Sequence, residues 1–425
     1  MTDYFLTGSI VALMLSTAVI VCCIFRTKVL YLIPFLPLLV GPDFISESLA
    51  ISGGSAILKG LSVGLLMICV LVTGVGQGRV LWGIYIFAVG FAAILPIAFG
   101  HVPLESWMIY AFVGYVFAWF ATLIRLDKLD RDTLARTMTF VPILGILLNL
   151  LLDTLGLTEL FRHEFTTGLL RLSGTLPSSH FGSLFVIGVI GGAWMYYRGI
   201  RNGLLFAFIH VMLCASTLTR GPLLVAVLIF AGAVLSNPPN KQVSKVAVYS
   251  SGAVAAIVVV FVFAEEIISR FQSSGLTGRD LAWAYYFDQF QVSPLLGHGI
   301  GAAAELSQYS RSANVREYFI APHNTYLQLL VEVGMVGTSI ILIALIGVAL
   351  LAFKMTHRGF RPILAFGFIG YLIFGYFDNL LNSFQSTFGL VLLLSISIYA
   401  AGSLGHSEKT NHLQRYTKED QRILA

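Results

Sequence analysis

The chain has 425 residues, 57% of them hydrophobic and 11% charged, with a formal net charge of +5. A soluble domain carries roughly 25% charged residues, so this composition excludes a string of soluble domains and predicts one polytopic membrane protein. The positive charge sits beside apolar runs, which makes it an orientation signal and excludes a nucleic-acid footprint.

A helix that crosses a bilayer needs about 20 mostly apolar residues. Such runs fall near 5–25, 29–45, 56–73, 79–99, 104–124, 137–152, 181–197, 203–218, 221–236, 246–264, 324–352, 361–377 and 385–401. That gives about thirteen spans, or about twelve if two short runs merge or cross only half-way. The predicted fold is all-α: a single polytopic domain over 1–403, followed by a polar tail at 404–425. The first run does not read as a cleavable signal, because Arg26 and Lys28 follow it where a signal peptide carries its charges in front. Cys22, Cys23, Cys69 and Cys214 all lie inside apolar runs without metal spacing. They read as small apolar residues.

Lys and Arg concentrate in cytoplasmic loops. One cluster holds Arg125, Lys128, Arg131 and Arg136; another holds Arg198 and Arg201. Lys241 with Lys245, and Lys354 with Arg358 and Arg361, form two more. Two predicted spans separate each neighbouring pair, so all four fall on one side, the cytoplasm, and the tail joins them. The opposite side receives 153–180, the turn at 219–221, the long polar segment 265–322 and the turn at 378–384. With all thirteen runs spanning, the N-terminus lies outside.

The outward side carries the chemistry. Arg162, His163, Arg171 and His180 of segment 153–180 either cover the site or, the simpler reading, are solvated loop residues. Arg220 sits in a tight turn, with Gly221 permitting the bend and Pro222 suited to the next helix's first turn. It either snorkels to lipid head groups or holds an anion. Thr277 and Asp280 have the spacing of a capping pair, which predicts a helix through Leu281 to Phe290. Its Trp283, Tyr285, Tyr286, Phe287 and Phe290 suit a membrane interface. Arg279 stands at that helix start, where backbone N–H groups also favour anions. A Gly-rich turn follows at Gly297 to Gly301.

His323, after Pro322, is predicted to begin the next long helix. Asn324, Gln328 and Glu332 fall at i, i+4 and i+8, one polar stripe running from the His end. Glu332 is an intramembrane acid, costly without a partner, and is expected to tie helices or loop backbone together. Asp378, with Asn379, lies at the outer end of another span, placed to orient His323 or pair with an arginine.

The chain has no phosphate-binding G-x-x-x-x-G-K-[ST] loop, no dinucleotide fingerprint, no G-x-S-x-G and no acidic pair at metal-holding spacing in an outer loop. Hydrolysis of a soluble nucleotide is unsupported. Two permanently charged, fork-shaped guanidinium groups and an imidazole that can accept a proton suit displacement of a phosphate-type leaving group without a metal.

The ordered set is specific where its single elements are not. Arg220-Gly221, then Gly278-Arg279 with Trp283, then Pro294, Gly297, Gly299 and Gly301, then His323-Asn324 through Glu332, Gly334 and Gly337 resembles the O-antigen ligase and O-antigen polymerase superfamily. The motifs cover roughly 210–340, with Asp378 as a further match. The resemblance implies a GT-C-like helical fold, usually of 12 spans with both ends cytoplasmic, acting at the periplasmic face of a Gram-negative inner membrane. It implies transfer of O-antigen from undecaprenyl pyrophosphate to a sugar of lipid A–core, amid membrane lipids, with no metal, nucleotide or other cofactor and no nucleic-acid partner. Carried over, His323 is the candidate base and Arg220 and Arg279 bind the donor pyrophosphate; Asn324, Glu332, Asp378 and Trp283 support them. One dominant outer loop ending in P-H-N resembles the ligase branch. Chain-extending polymerases and O-linked protein glycosyltransferases share the motifs, and the acceptor separates them. A lipid-linked oligosaccharide transporter is the alternative of another class. Transporters favour internal repeats and midplane charge, whereas this chain has no repeat and its polar set lies at the outer edge.

Overall fold

A computed structural model describes residues 64, 66–124, 131–163, 170–236, 279–319 and 321–399. The runs near 5–25, 29–45 and 246–264, most of 56–73, and residues Cys22, Cys23, Arg125, Lys128, Lys241 and Lys245 lie outside the described residues. So do Thr277, Gly278, the rest of 265–278 and the tail at 404–425.

The described apolar runs fold as helices. In chain order these are α1 (Arg79–Ala98), α2 (Ser106–Val116) continued by a 3₁₀ segment (Phe117–Leu123), and α3 (Arg131–Thr154). Strands β1 (Phe161–His163) and β2 (Leu170–Leu172) come next, then α4 (Ser178–Tyr197), α5 (Gly203–Ser216) and α6 (Arg220–Leu235). The polar segment supplies α7 (Arg279–Val292), α8 (Ala302–Gln308) and α9 (Ala313–Tyr318). Three apolar helices close the described chain: α10 (Thr325–Met355), α11 (Arg361–Phe377) and α12 (Phe384–Tyr399).

Five of these stretches are long and apolar enough to cross a membrane: α1, α2 with its 3₁₀ continuation, α3, α4 and α10. Shorter apolar helices α5, α6, α11 and α12 pack with them. The chain is an all-α polytopic membrane protein. Buried along 83% of its apolar window, against 39–50% for the other four, α4 is the central helix. Its sequence is apolar all round, as an enclosed helix requires. It lies between α3 and α5 and against α6 and α12; α6 runs along α11, and α10 along α1. Small residues permit this closeness. A Cβ on Gly192 of α4 would stand 2.6 Å from the Ala207 backbone of α5, the kind of approach on which helix pairs in lipid depend.

Two features depart from the sequence expectation. Segment 153–180 contains a short antiparallel hairpin that pairs Arg162 with Arg171; strands of three residues leave no periodic signal. The run at 324–352 is not one continuous helix. At Gly334 the backbone turns to φ 66° and ψ −174°, breaking α10. The Gly-rich turn repairs the break. The carbonyls of Val331 and Glu332 accept from the N–H groups of His298 and Gly299 at 2.9 and 2.8 Å. The N–H groups of Met335 and Val336, their usual helical donors, bond instead to Pro294 and Leu295 carbonyls at 2.8 and 3.2 Å. These four groups freed by the kink thus have partners, as apolar surroundings demand. Only glycine fits here: a Cβ on Gly334 would lie 2.2 Å from the Leu295 carbonyl oxygen. The stretch from Met335 to Met355 already has the roughly 20 residues a crossing needs, which leaves the first turns of α10 to serve the site.

Candidate active site

The site is assembled at the start of α10. Asn324 is the N-cap, its side-chain oxygen accepting from the N–H groups of Tyr326 and Leu327 at 3.0 and 3.1 Å. The helix therefore begins at Thr325, and His323 is not its first residue as expected. His323 sits outside the cap with φ 48°, a left-handed conformation uncommon for residues with a Cβ.

Neighbours hold this turn. From α7, the Trp283 indole N–H donates to the Pro322 carbonyl at 2.7 Å. Tyr286 donates its hydroxyl to the Phe319 carbonyl at 2.9 Å, and the Phe319 ring stands edge-on to His323. From the end of α11, Asp378 completes the frame. Its Oδ1 lies 3.2 Å from His323 Nδ1. Its carbonyl accepts from the Thr325 hydroxyl at 2.8 Å and the Thr325 N–H at 3.2 Å. The pair remains reachable, with the His323 side chain 36% and that of Asp378 26% exposed. Burial alone would raise the Asp378 carboxyl. The hydrogen bond and charge of His323, the Asn379 N–H and the charge of His180 outweigh it, and the carboxyl lies below the ordinary aspartate value.

Arg279 is the exposed first residue of α7, and one guanidinium nitrogen donates to the Phe377 carbonyl at 3.3 Å. Arg279 and His323 thus meet adjacent residues at one helix end. Arg220 is the exposed first residue of α6, after the cap residue Thr219. Gly221 abuts the ring of Phe374, with a Cβ there only 2.0 Å from the ring. That contact sets the Arg220 turn against the last turn of α11, just below Asp378. The same turn is tied to the hairpin, where Arg171 donates to the Leu218 carbonyl at 3.1 Å.

Glu332 is fully buried. Gln328 donates to its Oε1 at 2.8 Å and Tyr115 of α2 to its Oε2 at 2.9 Å. Backbone groups of Gly301 and Ala303 bond it too. It locks α2, α10 and the Gly-rich turn together.

Of the residues singled out from sequence, His323 and Asp378 meet directly, Arg279 and Trp283 bond the carbonyls of their chain neighbours Phe377 and Pro322, and Arg220 joins through its neighbour's packing. Asn324 and Glu332 act on the scaffold. Among the segment 153–180 residues, Arg171 and His180 come to the site's edge, whereas Arg162 bonds Thr158 within its own segment at 3.0 Å. The contacts of Thr325, Tyr286 and Tyr115 escaped sequence reasoning, which read Tyr286 only as an interface aromatic. The first two lie inside the motif-bearing stretch, but Tyr115 sits in an apolar run and carries no signal until the buried acid finds it.

The fold and site define a multi-pass membrane protein with a histidine–aspartate pair and two helix-start arginines at one end of its bundle. Residues 204–342 match the O-antigen ligase family, a stretch that holds Arg220, Arg279, Trp283, His323, Asn324 and Glu332. The exopolysaccharide production protein ExoQ of Rhizobium meliloti (strain 1021) is 24% identical over 287 residues, 62% of this chain. The chain spans 63% of that relative's length. Together these matches support the chain's membership of the O-antigen ligase and polymerase superfamily.

Proposed function

We propose that the chain is a glycosyltransferase that moves a glycan from a lipid pyrophosphate to a sugar hydroxyl. The observation that carries this reading is the His323–Asp378 pair at 3.2 Å with Arg279 bonded to the adjacent carbonyl. In its full form, the donor is O-antigen on undecaprenyl pyrophosphate and the acceptor is lipid A–core. The site then faces the periplasm of a Gram-negative inner membrane, with 265–322 as a periplasmic loop of the single domain 1–403 and 404–425 in the cytoplasm. The family match at 204–342 supports the ligase branch.

The chemistry follows from the residues. The acceptor oxygen bonds to the donor's anomeric carbon as the bond from that carbon to the pyrophosphate oxygen breaks. The hydroxyl proton passes to His323 Nε2, because Nδ1 is committed to Asp378, which also fixes the ring's orientation. The electron pair leaves with the pyrophosphate, and Arg279 and Arg220 stabilise its charge with bidentate hydrogen bonds.

A second reading, chain extension by a polymerase, is favoured by the similarity to an exopolysaccharide production protein. One experiment separates the two. Purified protein in detergent receives undecaprenyl-pyrophosphate-linked glycan with lipid A–core, or the glycan donor alone. Capped lipid A–core in the first mixture supports the ligase; longer lipid-linked glycan in the second supports the polymerase. No new glycosidic bond with either sinks both.

A further inference from the structure

Helix α7 has two working faces. Arg279, Trp283 and Tyr286 share one, toward the site; Leu281, Tyr285 and Asp288 lie on the opposite side of the helix, at i, i+4 and i+7. That second face forms one wall of a groove of about 550 Å³, closed by Leu306, Tyr309 and the turn at 310–312. The volume falls among ordinary ligand pockets, roughly 300–1,000 Å³. Its chemistry is mixed. Tyr285 is fixed by donating its hydroxyl to the Leu306 carbonyl. Tyr309 is 78% exposed among the described residues, and its ring offers a flat platform. Asp288, Gln289 and Arg311 bring a carboxylate, an amide and a guanidinium to the same groove.

Rings that stack and planar polar groups that bond in pairs suit a polyhydroxylated ligand. Opposed charges do not favour an anion, and so much polarity does not suit a lipid tail. We propose that this groove binds an oligosaccharide: sugars of the transferred or accepting glycan remote from the reacting carbon. The groove lies across α7 from His323, about 10 Å through a helix, so it takes later sugars of a chain. This assignment rests on the glycosyl-transfer reading for its place in the reaction. Remote binding of this kind helps position the reacting end.

The test uses glycan length. Tyr309→Ala and Asp288→Ala alter exposed side chains, and their fold is checked by thermal melting. Both are expected to raise KM about tenfold for a long glycan, and to leave KM unchanged for a lipid pyrophosphate bearing one sugar. Tyr309→Trp, which keeps a stacking ring, restores the long-glycan KM. Lengthening the donor and the acceptor glycan in separate arms identifies the source. Effects that are equal for short and long glycans, or absent, overturn the groove. A second measurement stands apart from catalysis. Oligosaccharide cleaved from the donor lipid, and core oligosaccharide freed of lipid A, are offered to full-length His323→Ala protein with saturation-transfer NMR as readout. Binding of either that disappears on adding Tyr309→Ala supports the groove, even if no transfer is ever seen and the glycosyl-transfer reading falls. Binding that persists in Tyr309→Ala and Asp288→Ala, or no binding of either probe, overturns it.

Discussion

His323 and Asp378 face each other at 3.2 Å from the start of one helix and the end of another. The contact joins two elements separated by the entire α10–α11 hairpin, so the imidazole is oriented by the fold and not by its own loop. His323→Ala is expected to lower kcat roughly 10²–10⁴-fold, the usual worth of a positioned base, with the detergent-solubilised protein still monodisperse. Asp378→Asn is expected to cause a smaller loss. Activity of His323→Ala within a few-fold of wild type in the purified transfer assay rules out the base assignment.

The same pair sets a pH dependence of stability. The folded Asp378 carboxyl lies below its ordinary value of 3.8. Its contribution is complete above that value and is lost as pH falls through the lower folded one. The gap in Tm between wild type and Asp378→Asn should therefore hold steady from neutral pH down to about 4 and close below it. A gap that closes on going alkaline instead would count against the pairing.

For the arginines, geometry matters beyond charge. Arg279→Lys should cost nearly as much as Arg279→Ala, roughly 10–100-fold in transfer, because an ammonium cannot grip two phosphate oxygens in one plane. Arg220→Lys should behave alike. Lysine variants with wild-type donor KM and kcat would reduce both residues to point charges or lipid anchors.

Gly334 and Gly347 lie on the same helix and should respond to alanine with opposite signs. At Gly334 a Cβ meets the Leu295 carbonyl and φ is positive, so Gly334→Ala is expected to destabilise by about 2 kcal/mol or more. At Gly347 a Cβ meets nothing within 4 Å, and alanine should stabilise by about 0.5–1 kcal/mol. Thermal melts of the two variants, measured side by side, decide the matter.

Sequence conveyed the helices well and their interruption poorly. The runs near 79–99, 181–197, 203–218 and 361–377 match α1, α4, α5 and α11 because lipid imposes length and hydropathy together. Gly334 hid inside such a run, since its neighbours Val333 and Met335 are as apolar as any helix requires. The break is written in a distant partner, the turn at 294–299, which a local pattern cannot reveal. Likewise the helix starts two residues later than expected: Asn324 caps it and Thr325, not His323, is its first residue. Capping depends on which side chain reaches the free N–H groups, and here the Asn324 oxygen does so. Trp283 was legible as an interface aromatic, but its hydrogen bond to Pro322 needed the fold.

The orientation expected from the charge pattern can be read by labelling. The exposed Gln308 on α8 serves as the probe for one side and the exposed Arg201 for the other. With Cys22, Cys23, Cys69 and Cys214 replaced, Gln308→Cys should react with an impermeant thiol reagent in cells whose outer membrane is permeabilised. Arg201→Cys should stay unlabelled. The opposite pattern places the site in the cytoplasm and removes the periplasmic donor from its reach.

The crossed backbone bonds at Gly334 also constrain assembly and motion. Lifting the turn at 294–299 away from α10 would break four backbone hydrogen bonds together and strand eight groups, at a penalty of several kcal/mol for each one left in apolar surroundings. The turn is therefore no independent lid. It works as a clasp that closes when its helix seats, and the helix is complete only once the clasp is in place. Because the turn precedes α10 in the chain, it must wait, with its donors hydrated, until the later helix arrives.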